Sequence, residues 1–249
     1  MIVNEADTVV ELIPQHEHAR ISAEILKNWK EPGVRANPLW NALWTAVREH
    51  DRAWIPLDAS PWLNERQIPY SFTHYPEPEK ITAYQHGIEA AASLHIYSGL
   101  LVSRHYAAFF PSSTTEEGQN FFRLEKERQQ KLREELGYPA QEEDHLKLLQ
   151  FCDDASLYAC MNTPGVSKDE EIEWFQNGFR HSFAFLNNET IQARFKTKES
   201  IQLHPFPLQT ELKCAVHGVK VEKKDITKTT AHKILQNGEP SVRPIRFVP

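Results

Sequence analysis

The stretch that decides the fold is residues 39–51, LWNALWTAVREHD. Asn37 and Pro38 precede it as an N-cap and a first-turn proline, so a helix is predicted to begin here. Its apolar side chains occupy two adjoining faces, and these faces end in His50 and Asp51. The His-Asp pair is therefore predicted to face the core, where an imidazole and a carboxylate are costly unless they are paired or bind a metal ion.

Two further predicted helices also place polar groups on an apolar face. His18 lies on the apolar face of the helix that follows Pro14, and Asp153 lies on that of the helix over residues 142–161. Asp154 lies on a more polar face, which makes Asp153 the better ligand candidate. A buried hydrogen-bond network without metal is the alternative. The favoured prediction is one divalent cation bound by His18, His50, Asp51 and Asp153.

The order of these residues, a lone His, an adjacent His-Asp pair and a distant Asp, resembles the HD superfamily of metal-dependent phosphohydrolases. Residues 18–26 (HARISAEIL) and 46–54 (AVREHDRAW) carry this resemblance. A closer resemblance, over nearly the whole chain, is to a bacterial family of unknown function. It is carried by the His-Asp-x-x-Trp turn and by residues 15–19 (QHEHA), 103–106 (SRHY) and 152–157 (CDxxSL).

The HD resemblance implies metal-assisted hydrolysis, in which Asp51 bridges the metal or orients a bound water. The other expected catalytic residues are His105 and Arg104. In HD enzymes with two metals, later histidines bind the second ion, and His105 fits that role better than His86 or His95. Mixed nitrogen and oxygen ligands favour Mn, Fe, Co, Ni or Zn over Ca, and leave the choice among them open.

One position departs from the usual HD pattern. Trp54 stands where many HD enzymes carry a lysine, so a cation that could face phosphate is missing. Arg52 or Arg104 is expected to replace that charge, and Trp54 is expected either to stack on a substrate ring or to pack in the core. The expected substrate contacts are His16, Arg52, Trp54, Asp58 and Tyr106.

These residues lead to two expectations about function. The first is a hydrolase that acts on a phosphorylated small molecule or nucleotide. The second is a non-catalytic ligand-binding or regulatory module with a structural metal or none. The nine glycines form no P-loop, and no Gly-x-Ser-x-Gly elbow is present. The expected partner is a small molecule, and a homo-oligomer stays open.

Composition narrows the class of protein further. The chain has 28 Lys and Arg against 34 Asp and Glu, a formal charge of −6, which argues against nucleic acid as a partner. Its three cysteines show neither disulfide nor zinc-ribbon spacing, which is typical of a reducing compartment. The first residues lack the features of a signal peptide, and no apolar run is long enough to span a bilayer. We therefore expect a cytoplasmic protein that is not embedded in a membrane.

The predicted fold class is mainly α. Helical periodicity dominates residues 1–186, for which we expect an HD-like helical bundle with short N-terminal strands. Aromatic spacing over residues 170–185 predicts one more helix there. After residue 187 the pattern alternates, as in strands, and predicts a small β subdomain over residues 187–249, which makes the whole α+β. Whether the N-terminal strands join this subdomain is open.

Overall fold

Residues 1–249 are described by a computed structural model, in which helices and strands share a hydrophobic core. The helices are α1 (Gln15–Lys27), α2 (Pro32–Ala36), α3 (Trp40–Glu49), α4 (Ile55–Ala59), α5 (Glu77–Leu94), α6 (Ile96–Ala107), α7 (Glu116–Leu136), α8 (Glu142–Met161), α9 (Glu173–Gln176) and α10 (Ile234–Asn237). The strands are β1 (Ile2–Glu5), β2 (Val9–Ile13), β3 (Gln192–Thr197), β4 (Ser200–His204), β5 (Leu212–Glu222) and β6 (Glu239–Val248). No helix combines the length and the apolar character that crossing a membrane requires.

All six strands belong to one sheet, in the order β1-β2-β5-β6-β4-β3. Neighbouring strands are antiparallel except β4 and β6, which run parallel. The longest pairing joins β5 to β6, from Leu212 opposite Phe247 to Lys220 opposite Glu239. These two strands therefore form the centre of the sheet, and the N-terminal hairpin and the β3–β4 hairpin flank them.

This sheet corrects the predicted fold class. A mainly α, HD-like bundle with a small C-terminal β subdomain is wrong, because six strands form one mixed sheet that includes β1 and β2, and the fold is α+β. A two-stranded hairpin is marginal alone and is stabilised by joining further strands. Here Val10 of β2 lies opposite Val221 of β5. The division of the chain between residues 186 and 187 stays a prediction.

Helix α1 connects the sheet to the other helices. It packs against α3, α8 and β5, and α3 packs in turn on α6 and α8. A hydrogen bond from Arg20 Nη2 to the Ala215 carbonyl oxygen, 2.6 Å long, ties α1 to β5. This arrangement brings the start of α1, the end of α3 and the middle of α8 together in the interior.

The helix predicted over residues 170–185 is only the four-residue α9. Gly178 follows it with φ +88°, a left-handed conformation that glycine adopts readily and that ends the helix. The aromatic side chains are nevertheless buried against α8, since the rings of Phe179 and Phe183 lie 5.4 and 5.6 Å from that of Phe151. The aromatic spacing thus indicated inward packing correctly for Phe175, Phe179 and Phe183, but not for Trp174, which is 56% exposed, and it did not indicate the absence of a long helix.

Candidate metal centre

Four side chains from α1, α8 and the end of α3 meet in the interior, and each is at most 5% exposed. His18 Nε2 lies 2.6 Å from Asp51 Oδ2, and His50 Nε2 lies 3.3 Å from Asp153 Oδ1. Ligand atoms of His18, His50 and Asp51 all lie within 4.8 Å of one another. Since ligands about 2.1 Å from one ion are roughly 3 to 4 Å apart, His18, His50 and Asp51 are close enough to bind a single ion, and Asp153 contacts this group through His50.

The backbone fixes which nitrogen of His50 faces this His/Asp cluster. His50 Nδ1 donates to the Val47 carbonyl oxygen at 2.8 Å, because that oxygen can only accept. In a neutral imidazole the lone pair is then on Nε2, which faces Asp153 at 3.3 Å and Asp51 at 3.9 Å. A lone pair facing two carboxylates needs a positive charge between them. A metal cation or a proton on His50 supplies that charge.

The second histidine is oriented through a serine. His18 Nδ1 lies 2.8 Å from Ser156 Oγ, which donates to the Asp153 carbonyl oxygen at 2.9 Å. Ser156 Oγ also lies 2.8 Å from Ser22 Oγ. With its proton on the Asp153 carbonyl oxygen, Ser156 can accept from His18 Nδ1, which leaves Nε2 to face Asp51. Metal-binding histidines usually have an outer partner of this kind. Both histidines therefore fit the role of ligand.

Electrostatics favour a positive charge at the centre of the cluster. Burial, the largest influence, lowers the pKa of His50, but the charge of Asp51 and the hydrogen bond with Asp153 outweigh it and raise that pKa to about 9. Burial raises the pKa values of Asp51 and Asp153, but the neighbouring His50 reverses this and both are lowered overall. Both carboxyl groups are thus ionised at neutral pH. The donor set fits a divalent cation, which would displace the proton of His50.

His105 joins the cluster from α6. Its Nε2 lies 3.9 Å from Asp153 Oδ2, and its ring centroid lies 5.2 Å from that of His50. Burial lowers the pKa of His105 to about 4, so the imidazole is neutral at pH 7. Its Nδ1 is buried without a hydrogen-bond partner, which is uncommon in folded proteins. His50, His105 and Asp153 form a second group with ligand atoms within 4.8 Å, so the residues fit one ion or two.

A pocket of about 300 Å³ opens onto this cluster. Asp51, Asp153 and His105 reach its surface, whereas His18 and His50 do not. The volume is in the range of small-molecule sites. The rest of the lining combines aromatic and polar side chains, among them Trp54, Phe72, Tyr84, Phe109, Trp174, Gln15, Lys80 and Arg180.

The predicted arginines lie outside the pocket lining. Arg104 pairs with Glu142 and Glu143, each at 2.7 Å, and Arg52 pairs with Glu49 at the surface at 2.8 Å. Neither side chain therefore replaces the missing lysine beside the cluster. Trp54, which stands at the lysine position, does line the pocket.

Three other predicted substrate contacts are also absent from the pocket lining. His16 lies on the other side of α1 from His18 and hydrogen-bonds with Arg48 Nη1 at 2.7 Å. Asp58 is buried and pairs with the Met1 amino group at 2.6 Å. Tyr106 is buried in the aromatic core, stacked on a neighbouring tyrosine ring. Each of these three side chains therefore contacts other parts of the protein and does not face the pocket.

Six polar residues of the pocket lining were not predicted as site residues: Gln15, Thr73, Glu77, Lys80, Asp154 and Arg180. Gln15 stands in the QHEHA motif, which was the one available signal. Lys80 lies in the first turn of α5, and no local pattern distinguishes it from a surface lysine. Arg180 is in irregular chain and forms a two-bond pair with Asp154, at 2.5 and 2.8 Å.

Comparison with known proteins gives one match. No curated protein and no solved structure matches the chain. Residues 1–223 match the family described as "Protein of unknown function (DUF3891)", and this range contains the whole cluster and pocket. The predicted membership of an uncharacterised family is confirmed, while the HD-like character stays a prediction. The chain belongs to the DUF3891 family.

Proposed function

We propose that the chain is a metal-dependent hydrolase that acts on a phosphorylated small molecule or nucleotide. The observation that carries the proposal is that Asp51, Asp153 and His105 belong to the buried cluster and also line the pocket. A divalent ion (Mn, Fe, Co, Ni or Zn) at that position would supply a Lewis acid for a phosphoryl oxygen and would lower the pKa of a water molecule. The expected ligands are His18, His50, Asp51 and Asp153.

The chain's own groups have distinct roles in this proposal. Hydrogen bonds to the Val47 carbonyl oxygen and to Ser156 hold the imidazoles of His50 and His18 in position. His105 is neutral, has a buried nitrogen without a partner and lines the pocket, so it can orient the substrate or accept a proton. Asp51 presents a carboxylate to the same space and can orient the attacking water.

The sequence adds support for the reaction class. The order of a lone His, an adjacent His-Asp pair and a distant helical Asp resembles that of HD phosphohydrolases. The lysine of many of those enzymes is replaced by Trp54, but Lys80 and Arg180 bring positive charge to the pocket from other elements. Arg180 is paired with Asp154, so Lys80 is the cationic partner that a phosphoryl group has available despite the substitution.

The alternative function is a non-catalytic ligand-binding or regulatory module. It is favoured by the direct 2.6 Å contact between His18 Nε2 and Asp51 Oδ2, since a proton shared there lets the two side chains satisfy each other. In that case the cluster is a buried hydrogen-bond network or holds a purely structural ion.

Elemental analysis separates these functions first. Protein purified without chelators is expected to contain about one transition metal per chain, and His50→Ala is expected to remove it. His86→Ala is the matched control, because His86 is an exposed histidine on α5 that lies outside the cluster. Metal-free wild type, or equal metal content in both variants, contradicts the proposed centre.

Turnover then separates the enzyme from the binding module. Phosphomonoesters and phosphodiesters are supplied with Mn, Fe or Mg, and hydrolysis is expected to disappear in Asp153→Ala that circular dichroism shows to be folded. Hydrolysis that survives in this variant would place the chemistry elsewhere. A metal-loaded protein that hydrolyses none of the substrates favours the binding module.

A further inference from the structure

Gln15 is a buried polar residue of the pocket that the proposed mechanism does not use. It is 1% exposed, and its backbone N–H donates to Asp58 Oδ2 at 2.7 Å. Its side-chain oxygen is buried without a hydrogen-bond partner. A buried amide oxygen without a partner is destabilising, and the position of Gln15 in the pocket lining makes its amide available to a ligand.

Lys80 is a second polar side chain of the same pocket. It is half-buried, and its ammonium group forms no hydrogen bond or ion pair within the protein. Burial lowers the pKa of Lys80, partly opposed by Glu77. Arg180 differs, because its guanidinium is already paired with Asp154. Lys80 is thus the cation of the pocket that is available to an anion.

Two large aromatic side chains of the pocket are unusually accessible. Phe109 is 51% exposed and Trp174 is 56% exposed. The Phe109 ring lies 5.1 Å from the His105 ring, and the Trp174 ring lies 6.3 Å from that of Phe72, which also lines the pocket. Exposed aromatic rings around a polar pocket are typical of a surface that binds an apolar group.

We propose that Gln15 and Lys80 bind the anionic group of the substrate, and that Phe109 and Trp174 bind a flat apolar group attached to it. Identifying that anionic group as the phosphoryl group rests on the proposed function. The substrate class is then a phosphate ester with an aromatic or heteroaromatic organic part. Lys80 neutralises the anion, and the amide of Gln15, which can flip, donates an N–H to one of its oxygens.

Two non-hydrolysable probes test this proposal without requiring turnover. Phenylphosphonate and methylphosphonate are titrated by calorimetry into the manganese-loaded and the metal-free protein. The wild type is expected to bind the phenyl compound about tenfold more tightly. Trp174→Ala and Phe109→Ala should remove most of this preference, whereas Trp62→Ala, a control at a tryptophan that is 49% exposed outside the pocket, should keep it.

The anionic subsite is tested by the same titrations. Lys80→Met and Gln15→Met are expected to weaken both phosphonates about tenfold, because each variant loses a partner of the shared anionic group. Lys80→Arg should retain most of the affinity, and Lys126→Met, an exposed lysine on α7, should retain all of it.

The inference is overturned if the wild type binds the two phosphonates equally well, or if neither phosphonate binds to the manganese-loaded or the metal-free protein. It is also overturned if Lys80→Met binds both phosphonates as tightly as the wild type. These outcomes are distinct from failure of the proposed function, which is shown by missing metal or missing hydrolysis. A protein that shows the expected phosphonate pattern without any hydrolysis is a binding module with this specificity.

Discussion

Two groups of charged side chains contact the same helix, α8, and differ in how many of their polar atoms have a partner. Glu171 is 3% exposed and accepts a hydrogen bond from Tyr158 of α8. Its other oxygen pairs with Lys168 Nζ at 2.7 Å, and that ammonium group also donates to two backbone carbonyl oxygens at 2.8 and 2.9 Å. All three donors of Lys168 are therefore used.

The His/Asp cluster around Asp153 is incomplete by the same accounting. Without a metal ion, only a proton on His50 balances the carboxylates that face it, and His105 Nδ1 has no partner. The cluster also opens onto a pocket, which the Glu171 group does not line. We infer from this difference that the Glu171 group, whose polar atoms all have partners within the protein, serves the fold. The His/Asp cluster, whose polar atoms lack some partners, is suited to bind a ligand.

The largest expected effect is on metal binding. Asp153→Ala removes one ligand, and we expect metal affinity to fall at least about 1,000-fold, since four ligands share the binding free energy. Asp144→Ala, an exposed carboxylate on the same helix, should bind metal like the wild type. Affinity is measured by competition with a chromophoric chelator. Equal affinities would remove Asp153 from the ligand set.

A substitution in the Glu171 group should change the stability of the fold and leave metal binding unchanged. Lys168→Met leaves the buried Glu171 carboxylate without its cation, and we expect the free energy of unfolding to fall by about 2 to 3 kcal/mol, below the full value for a buried pair because Lys168 is partly exposed. Urea unfolding measures this change, with Lys126→Met as the exposed control. If Lys168→Met lost metal while its free energy of unfolding stayed unchanged, the Glu171 group would be part of the metal site and would not serve stability alone.

The metal affinity of the His/Asp cluster should also depend on pH. His50 must lose its proton to bind metal, and its pKa is raised to about 9. Below that pH the proton competes with the metal, so affinity should fall about tenfold for each unit of pH, or about 100-fold from pH 8 to pH 6. Calorimetry in buffers of different ionisation enthalpy should show one proton released. Constant affinity over this range would mean that His50 is not a ligand.

The smallest expected effect concerns the outer partner of His18. Ser156→Ala removes the hydroxyl that orients His18 Nδ1, and we expect metal affinity to fall about tenfold. Ser98→Ala is the matched control, because Ser98 is a buried serine that hydrogen-bonds only the Ala42 carbonyl oxygen. Comparable loss of affinity in both variants would indicate a general loss of packing instead.

The cluster itself was largely predictable, because helical periodicity determines which side chains share a face. His18, His50 and Asp153 each lie on an apolar face of their own helix, and these faces meet in the core. Arg104 precedes His105, points elsewhere and finds acidic partners on α8. Adjacent residues in a helix point about 100° apart, and of these two only His105 is directed towards the pocket.

The sheet and the pocket walls depend on contacts that are distant in sequence. Alternation marked the first strands correctly, but nothing local shows that Val10 lies opposite Val221. Lys80 and Trp174 reach the pocket only through the packing of α5 and of the irregular chain around α9. Such positions follow from tertiary structure and carry no periodic signal.

The location of β6 has a consequence for biosynthesis. Strand β6 lies between β5 and β4, so the β3–β4 hairpin has no strand to join until β6 has left the ribosome. A chain that ended before Glu239 would lack β6, so its sheet would divide into two separate parts and would not simply lose an edge strand.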